Sequence, residues 1–138
     1  MLIEEFKETK VTCSKSVADI CYAILKTENE IDQNKEHFWS FGLDVSNKIK
    51  YVELVSLGIL NQTIVAPREV FRQAIREGIY SIIVCHNHPS DSLKPSVEDR
   101  KFTDKLCKAG EIVGIKLLDH VIIGTNGHYS FSDEGGLV

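Results

Sequence analysis

No two cysteines in this sequence form a Cys-x-x-Cys pair. Cys13, Cys21, Cys85 and Cys107 stand far apart, which excludes a zinc ribbon and a thioredoxin-type redox pair. Scattered thiols of this kind read as reduced and mostly buried. Positive charge is also short. Lys and Arg number 16 against 20 Asp and Glu, for a net charge of −4. Nucleic-acid binders draw most of their affinity from neutralised phosphates. A nucleic-acid partner is therefore unsupported, a local basic patch aside. No apolar run reaches the length of a bilayer span. The first ten residues, MLIEEFKETK, are charged throughout and contain no apolar h-region of a signal peptide. The expectation is a cytoplasmic protein with no membrane partner. Repeats, low-complexity stretches and linkers are missing too.

What is present is an ordinary globular composition, 43% hydrophobic and 26% charged over 138 residues. That length predicts one domain, 1–138, able to bury about two thirds of its unfolded surface without disulfides. Residues 1–12 read as an extended lead-in. Ser14 or Ser16 is placed to cap a helix whose stripe is Val17, Ile20, Cys21, Ile24 and Leu25. Trp39, Phe41, Leu43 and Val45 alternate as in a strand, and Ser46-Asn47-Lys48 turns the chain into a second strand, Ile49 to Leu57, broken by Gly58 and Asn61. Pro67 to Gly78 predicts a helix with Val70, Phe71, Ala74 and Ile75 inward. IYSIIVC, residues 79–85, reads as a central strand buried on both faces. Ser96 opens a helix to about Gly110 carrying Phe102, Leu106 and Ala109, and strands follow at 115–123 and 128–132. This order predicts an α/β layered domain with a mixed central sheet flanked by helices. Ligands of such sheets favour the carboxyl ends of strands, and the loop CHNHPSDSLKPSVEDRK, 85–101, leaves one.

In that loop His86 and His88 are two apart, so on an extended segment both rings project to one side. Asp99 lies in the first turn of the next helix and can meet them if the loop folds back. Two nitrogens and one oxygen leave a fourth tetrahedral position for water, the pattern of a catalytic zinc, which lowers the pKa of that water. Each residue also has a plainer reading. The histidines can be solvated loop residues, and Ser96-x-x-Asp99 can be a helix capping box. Capping and metal ligation are compatible. Neither the His-x-Glu and Pro-Cys-x-x-Cys of zinc deaminases nor the His-Glu-x-x-His of zincins occurs. Cys85 would point away from His86, against Cys-His catalysis. An HNH nuclease is named for three separated residues, not a tripeptide, so Asn87 carries no role in this reading. Asp119-His120 is either a pair orienting a ligand or a hydrogen-bonded core pair. His37 and His128 read as near the surface, and Phe38, Trp39 and Phe41 as core, not as a base-stacking platform.

His86-x-His88-x7-Ser96-x2-Asp99 resembles the JAMM signature of the JAB/MPN-domain metalloproteases. The strings APREVFRQAI, HNHPS, PSVED and DHVIIG resemble its RadC-like branch in particular. The resemblance runs from about residue 14 to the end. It implies a JAB/MPN, cytidine-deaminase-like architecture, a single Zn2+ held by His86, His88, Asp99 and water, and hydrolysis of peptide or isopeptide bonds in a protein or peptide substrate. It further implies a glutamate general base on an earlier strand, matched by Glu53, and a serine, Ser96, donating to the oxyanion. Without it, Glu53 also has a plainer reading as an edge-strand residue facing water. Ala66 and Asp91 depart from the branch, which has His and Gly there. The helix-hairpin-helix segment that often precedes this domain finds no room before the first helix. The alternative is a non-catalytic MPN-like module binding protein or nucleic acid; the family's older DNA-repair label finds no support in these residues.

Overall fold

A computed structural model describes residues 2–58, 65–89 and 92–137. Asn61 and Asp91 lie outside the described residues. In chain order the elements are β1 (Leu2–Ile3), α1 (Ser14–Lys26), α2 (Glu30–Gln33), β2 (Glu36–Leu43), β3 (Ile49–Gly58) and α3 (Pro67–Glu77). β4 (Ser81–Asn87), α4 (Val97–Val113), β5 (Lys116–Ile123) and β6 (His128–Ser130) complete them. The strands form one mixed sheet in the order β1-β3-β2-β4-β5-β6. Among the described residues only β4 and β5 run parallel, joined by α4 as the crossover; the other neighbours are antiparallel.

Local chemistry explains the sheet's start. Asp44 turns the β2–β3 hairpin by accepting from the Ser46 and Lys48 backbone N–H groups at 2.9 and 3.0 Å. Asn47 takes the left-handed position at φ 63°, a conformation asparagine tolerates better than most residues. β2 is paired on both edges by β3 and β4 and covered by helices on both faces, so it is buried from His37 onward. Val45, expected as the next residue of the alternation, falls in the turn and is exposed.

The helices make two outer layers. On one sheet face α1 packs Val17, Cys21 and Ile24 against Trp39, Phe41, Ile83, Cys85, Val121 and Ile123. On the other, α3 and α4 pack Val70, Phe71, Phe102 and Leu106 against Phe38, Tyr51, Ile82, Val84 and Leu117. Each such side chain contributes about 1.5–3 kcal/mol relative to exposure. β4 is buried along its whole length, because it is covered on both faces and paired on both edges. This is the central strand read from IYSIIVC, shifted two residues toward the carboxyl end, and the shift brings His86 and Asn87 inside it. Phe38, Trp39 and Phe41 are core.

Several expectations are corrected. The cap of α1 is Cys13, with no side-chain hydrogen bond; the Ser14 hydroxyl instead donates to Asp133 at 2.6 Å and meets His128 Nε2 at 3.1 Å. The lead-in carries β1, which pairs with β3, and the short α2 has no apolar stripe to announce it. Ile75 is exposed, since it lies roughly 90° round the helix from the centre of the Val70, Phe71 and Ala74 stripe. Helix α4 runs past Gly110 to Val113 and closes at Gly114 with φ 76°. Gly110 is there for closeness: a Cβ on it would lie 2.4 Å from the Ile115 carbonyl oxygen. Helix propensity alone favours Gly110→Ala by about 1 kcal/mol. Here the clash reverses the sign, and urea denaturation should show a loss of about 1–3 kcal/mol.

Candidate metal centre

His86 is the penultimate residue of β4, opposite Phe38 on β2 and Ile122 on β5. His88 lies just beyond the strand, but its N–H still donates to the Ile123 carbonyl at 2.7 Å. The chain therefore stays extended through residue 88, and the two rings fall on one side. Their Nε2 atoms are 3.0 Å apart. Cys85 points the opposite way, into the α1 layer.

Asp99 comes from the first turn of α4. A capping box fixes that turn: the Ser96 hydroxyl accepts from Asp99 N at 3.0 Å, and Asp99 Oδ2 accepts from Ser96 N at 2.9 Å. The same carboxylate lies 3.5 Å from His86 Nε2 through Oδ1 and 3.4 Å from His88 Nε2 through Oδ2. One ligand atom from each of the three residues falls within 4.8 Å of the others. The plainer capping reading and the metal geometry thus coexist.

The donor chemistry fits a cation. His88 Nδ1 lies 3.0 Å from the Ser92 carbonyl oxygen, which only accepts, so Nδ1 carries the proton and Nε2 presents a lone pair inward. An ionised Asp99 is acceptor-only. Burial would raise Asp99, but the His86 and His88 rings facing it outweigh this and hold the carboxyl well below the usual range. The neighbouring Asp99 in turn raises His88. Both directions report one thing, the mutual attraction of the carboxylate and the imidazoles held beside it. Two imidazole nitrogens and one carboxylate oxygen are a donor set zinc accepts.

Asp119 and His120 divide the two readings between them. Asp119 is a core hydrogen-bonding residue. It accepts from the Ser130 hydroxyl at 2.6 Å, its own neighbour's N–H at 2.8 Å and Ser132 N at 2.9 Å, which pins the turn after β6. Burial raises its pKa. His120 points to the other face and sits behind His86, with His120 Nε2 2.8 Å from His86 Nδ1. Burial, then the nearby His86, hold its pKa well below the ordinary histidine value.

Glu53 is on the same sheet face as His86. It pairs with Ser40, Ser40 pairs with Val84, and His86 is two residues beyond Val84. Strand spacings put the Glu53 and His86 Cα atoms about 12 Å apart, close enough for two side chains to reach toward one water. β1 covers the outer side of β3 at this position, pairing Leu2 with Glu53, so Glu53 is not on an edge. Glu53 Oε1, Ser40 Oγ and Tyr51 Oη are buried on this face without hydrogen-bond partners among the described residues. Burial raises the Glu53 pKa, while Arg72 and Arg76 pull the other way.

Three supporting residues escaped the sequence reading. Asn87 turns to the opposite face from the histidines. Its Oδ1 accepts from His37 N at 2.5 Å and its Nδ2 donates to the Lys35 carbonyl at 3.0 Å, tying the end of β4 to the start of β2. His37, expected near the surface, is 1% exposed. It is stacked on Trp39, and its ring nitrogens meet the Lys35 carbonyl at 2.8 Å and the Glu28 carboxylate. Its partners come from the α1–β2 connection, which no periodicity marks. Thr103 stands four residues after Asp99, and that spacing was the available signal. His128 is half-buried against Ser14.

A three-layer α/β domain that aims two histidines from a central strand and one carboxylate from the following helix at a common point is a domain of the JAB/MPN type. The RadC-like JAB domain model matches residues 11–137, and the chain belongs to that family. It is similar to a UPF0758 protein of Desulforudis audaxviator, 49% identical over 102 residues, covering 74% of this chain and 44% of that protein. A UPF0758 protein of Methanosarcina mazei is 43% identical over 133 residues, 96% of this chain and 56% of the relative. One of Trichlorobacter lovleyi is 50% identical over 104 residues, 75% and 45%. The chain spans about half the length of these curated relatives.

The raised Glu53 carboxyl carries a stability consequence. A carboxyl whose folded pKa lies above its unfolded value stabilises the fold fully only below the unfolded pKa, and that contribution fades as pH rises through the folded pKa. Glu53→Gln removes the half-buried charge. Chemical denaturation at pH 7 should therefore show the variant more stable than wild type, and the difference should vanish near pH 4. A variant less stable at pH 7 would contradict this.

Proposed function

We propose that this domain is a zinc-dependent hydrolase of peptide or isopeptide bonds. The observation that carries it is the convergence of the His86 Nε2, His88 Nε2 and Asp99 carboxylate ligand atoms within 4.8 Å, on the sheet face that also bears Glu53. His86, His88 and Asp99 hold the ion. Zinc in such a site makes water acidic enough to ionise near neutral pH and polarises a carbonyl.

The chain's own residues do the rest. Glu53, whose proton affinity burial raises, accepts a proton from the attacking water. It then delivers that proton to the nitrogen of the breaking C–N bond, so an amine leaves and an acid remains. The Ser96 hydroxyl accepts from Asp99 N and keeps its own proton to donate to the oxyanion developing on the scissile carbonyl. A protein or peptide substrate follows from this chemistry. The net charge of −4 argues against a nucleic-acid substrate. No helix among the described residues is long and apolar enough to cross a membrane.

Elemental analysis of freshly purified protein should find one zinc per chain, lost in the His86→Ala/His88→Ala double variant. Wild type without zinc would sink the reading. Against a library of acyl-peptides and lysine-linked isopeptides, Glu53→Gln should keep its zinc and lose about 10²–10⁴-fold in turnover. Undiminished turnover would remove Glu53 from the role of base.

A further inference from the structure

We propose that His120 and Thr103 form a positioning relay that fixes the tautomer of His86 and couples it to Asp99, so that metal affinity depends on two residues that never touch the metal. The inference rests on the metal-centre reading and deepens it.

The direction of the relay follows from counting protons. Thr103 has one hydroxyl hydrogen, and it goes to the Asp99 backbone carbonyl at 2.8 Å. Thr103 Oγ1 lies 2.6 Å from His120 Nδ1. With its own hydrogen committed, Oγ1 accepts there, so His120 Nδ1 is the protonated nitrogen. In the neutral ring His120 Nε2 then holds a lone pair, and it faces His86 Nδ1 at 2.8 Å. His86 Nδ1 must donate. That leaves the His86 Nε2 lone pair directed at His88 and Asp99, where a ligand to zinc has to point.

The plain reading of Thr103 is a back-bond to the carbonyl four residues earlier, a common habit of threonine in helices. That bond alone leaves the second contact unexplained. Thr103 and His120 are both 1% exposed, so no bulk water competes for these groups. The His120 ring is stacked on Phe131, with centroids 4.7 Å apart at an interplanar angle of 8°, and flanked edge-on by Phe38. Its plane is locked by packing, and among the described residues its nitrogens meet His86 and Thr103. The relay starts at one ligand, crosses from β4 through β5 to α4, and ends on the backbone of another ligand.

The test is zinc affinity by competition with a chromophoric chelator, on the full chain. Thr103→Val keeps the shape and removes the hydroxyl. His120→Leu removes both ring nitrogens. Each should weaken zinc binding by about 10–100-fold. Thr103→Ser and His120→Gln retain an acceptor and a donor, and each should recover to within about threefold of wild type. Long-range ¹H–¹⁵N imidazole spectra of the metal-free protein supply a second readout that metal binding does not enter. Wild type should show His86 protonated at Nδ1, and Thr103→Val should show a mixture of tautomers. If wild type binds zinc and both deletion variants bind it equally tightly, the relay is overturned. A metal-free His86 protonated at Nε2 in wild type also overturns it. If wild type binds no zinc while the spectra show the Nδ1–H tautomer and its loss in Thr103→Val, the relay stands and the metal-centre reading fails.

Discussion

The structure depends on one placement, an imidazole at the end of a fully buried strand. His86 is 1% exposed, flanked in the sheet by Phe38 and Ile122. A polar ring there destabilises the fold unless each nitrogen is satisfied. One nitrogen is met from behind by His120; the other meets His88 and Asp99. The surrounding architecture supplies these partners. The parallel pairing of β4 and β5 places His120 beside His86. The α4 crossover that parallel pairing requires begins with the turn that carries Asp99.

The core and the candidate centre are therefore not separate parts of the molecule. The apolar face under α3 and α4 contains Phe38 and Phe102, and Phe38 also lies against both His86 and His120. On the other face, Asn87 and His37 fasten the strand end to its neighbour through Lys35 and Glu28. A donor set held from both faces is preorganised: its geometry does not have to be assembled when a ligand arrives.

Much of this was legible in the sequence because it is local. His-x-His after an apolar run gives two rings on one side by strand geometry. Ser96-x-x-Asp99 gives a helix start and a carboxylate at a known distance from it. The layered α/β class followed from the order of periodic segments. What was missed depends on contacts far apart in the chain. His37 looked like a surface residue because the groups that satisfy its ring, the Glu28 carboxylate and the Lys35 carbonyl, belong to an irregular connection. The pairing of β1 with β3, which takes Glu53 off the sheet edge, joins residues about fifty positions apart and has no signature in either segment. Asp119-His120 was readable only as a pair. A dipeptide in a strand sends its side chains to opposite faces, so Asp119 joins the core hydrogen bonds around Ser130 and Ser132 while His120 meets His86.

The identity of the group behind His86 has its own physical logic. Ligand histidines are most often backed by a carboxylate, a carbonyl or water. Here the space behind the ring lies among Phe38, Phe102 and Phe131, and an anion in such surroundings would be strongly disfavoured. A neutral imidazole can accept the His86 proton without carrying charge into the core, and it has a second nitrogen to pass the requirement on. Thr103 receives it and ends the chain on a helix carbonyl, a group that needs only a hydrogen. The negative charge of the centre is thereby confined to Asp99 on the ligand side, with the Glu53 carboxyl across the same face, where a cation can compensate it.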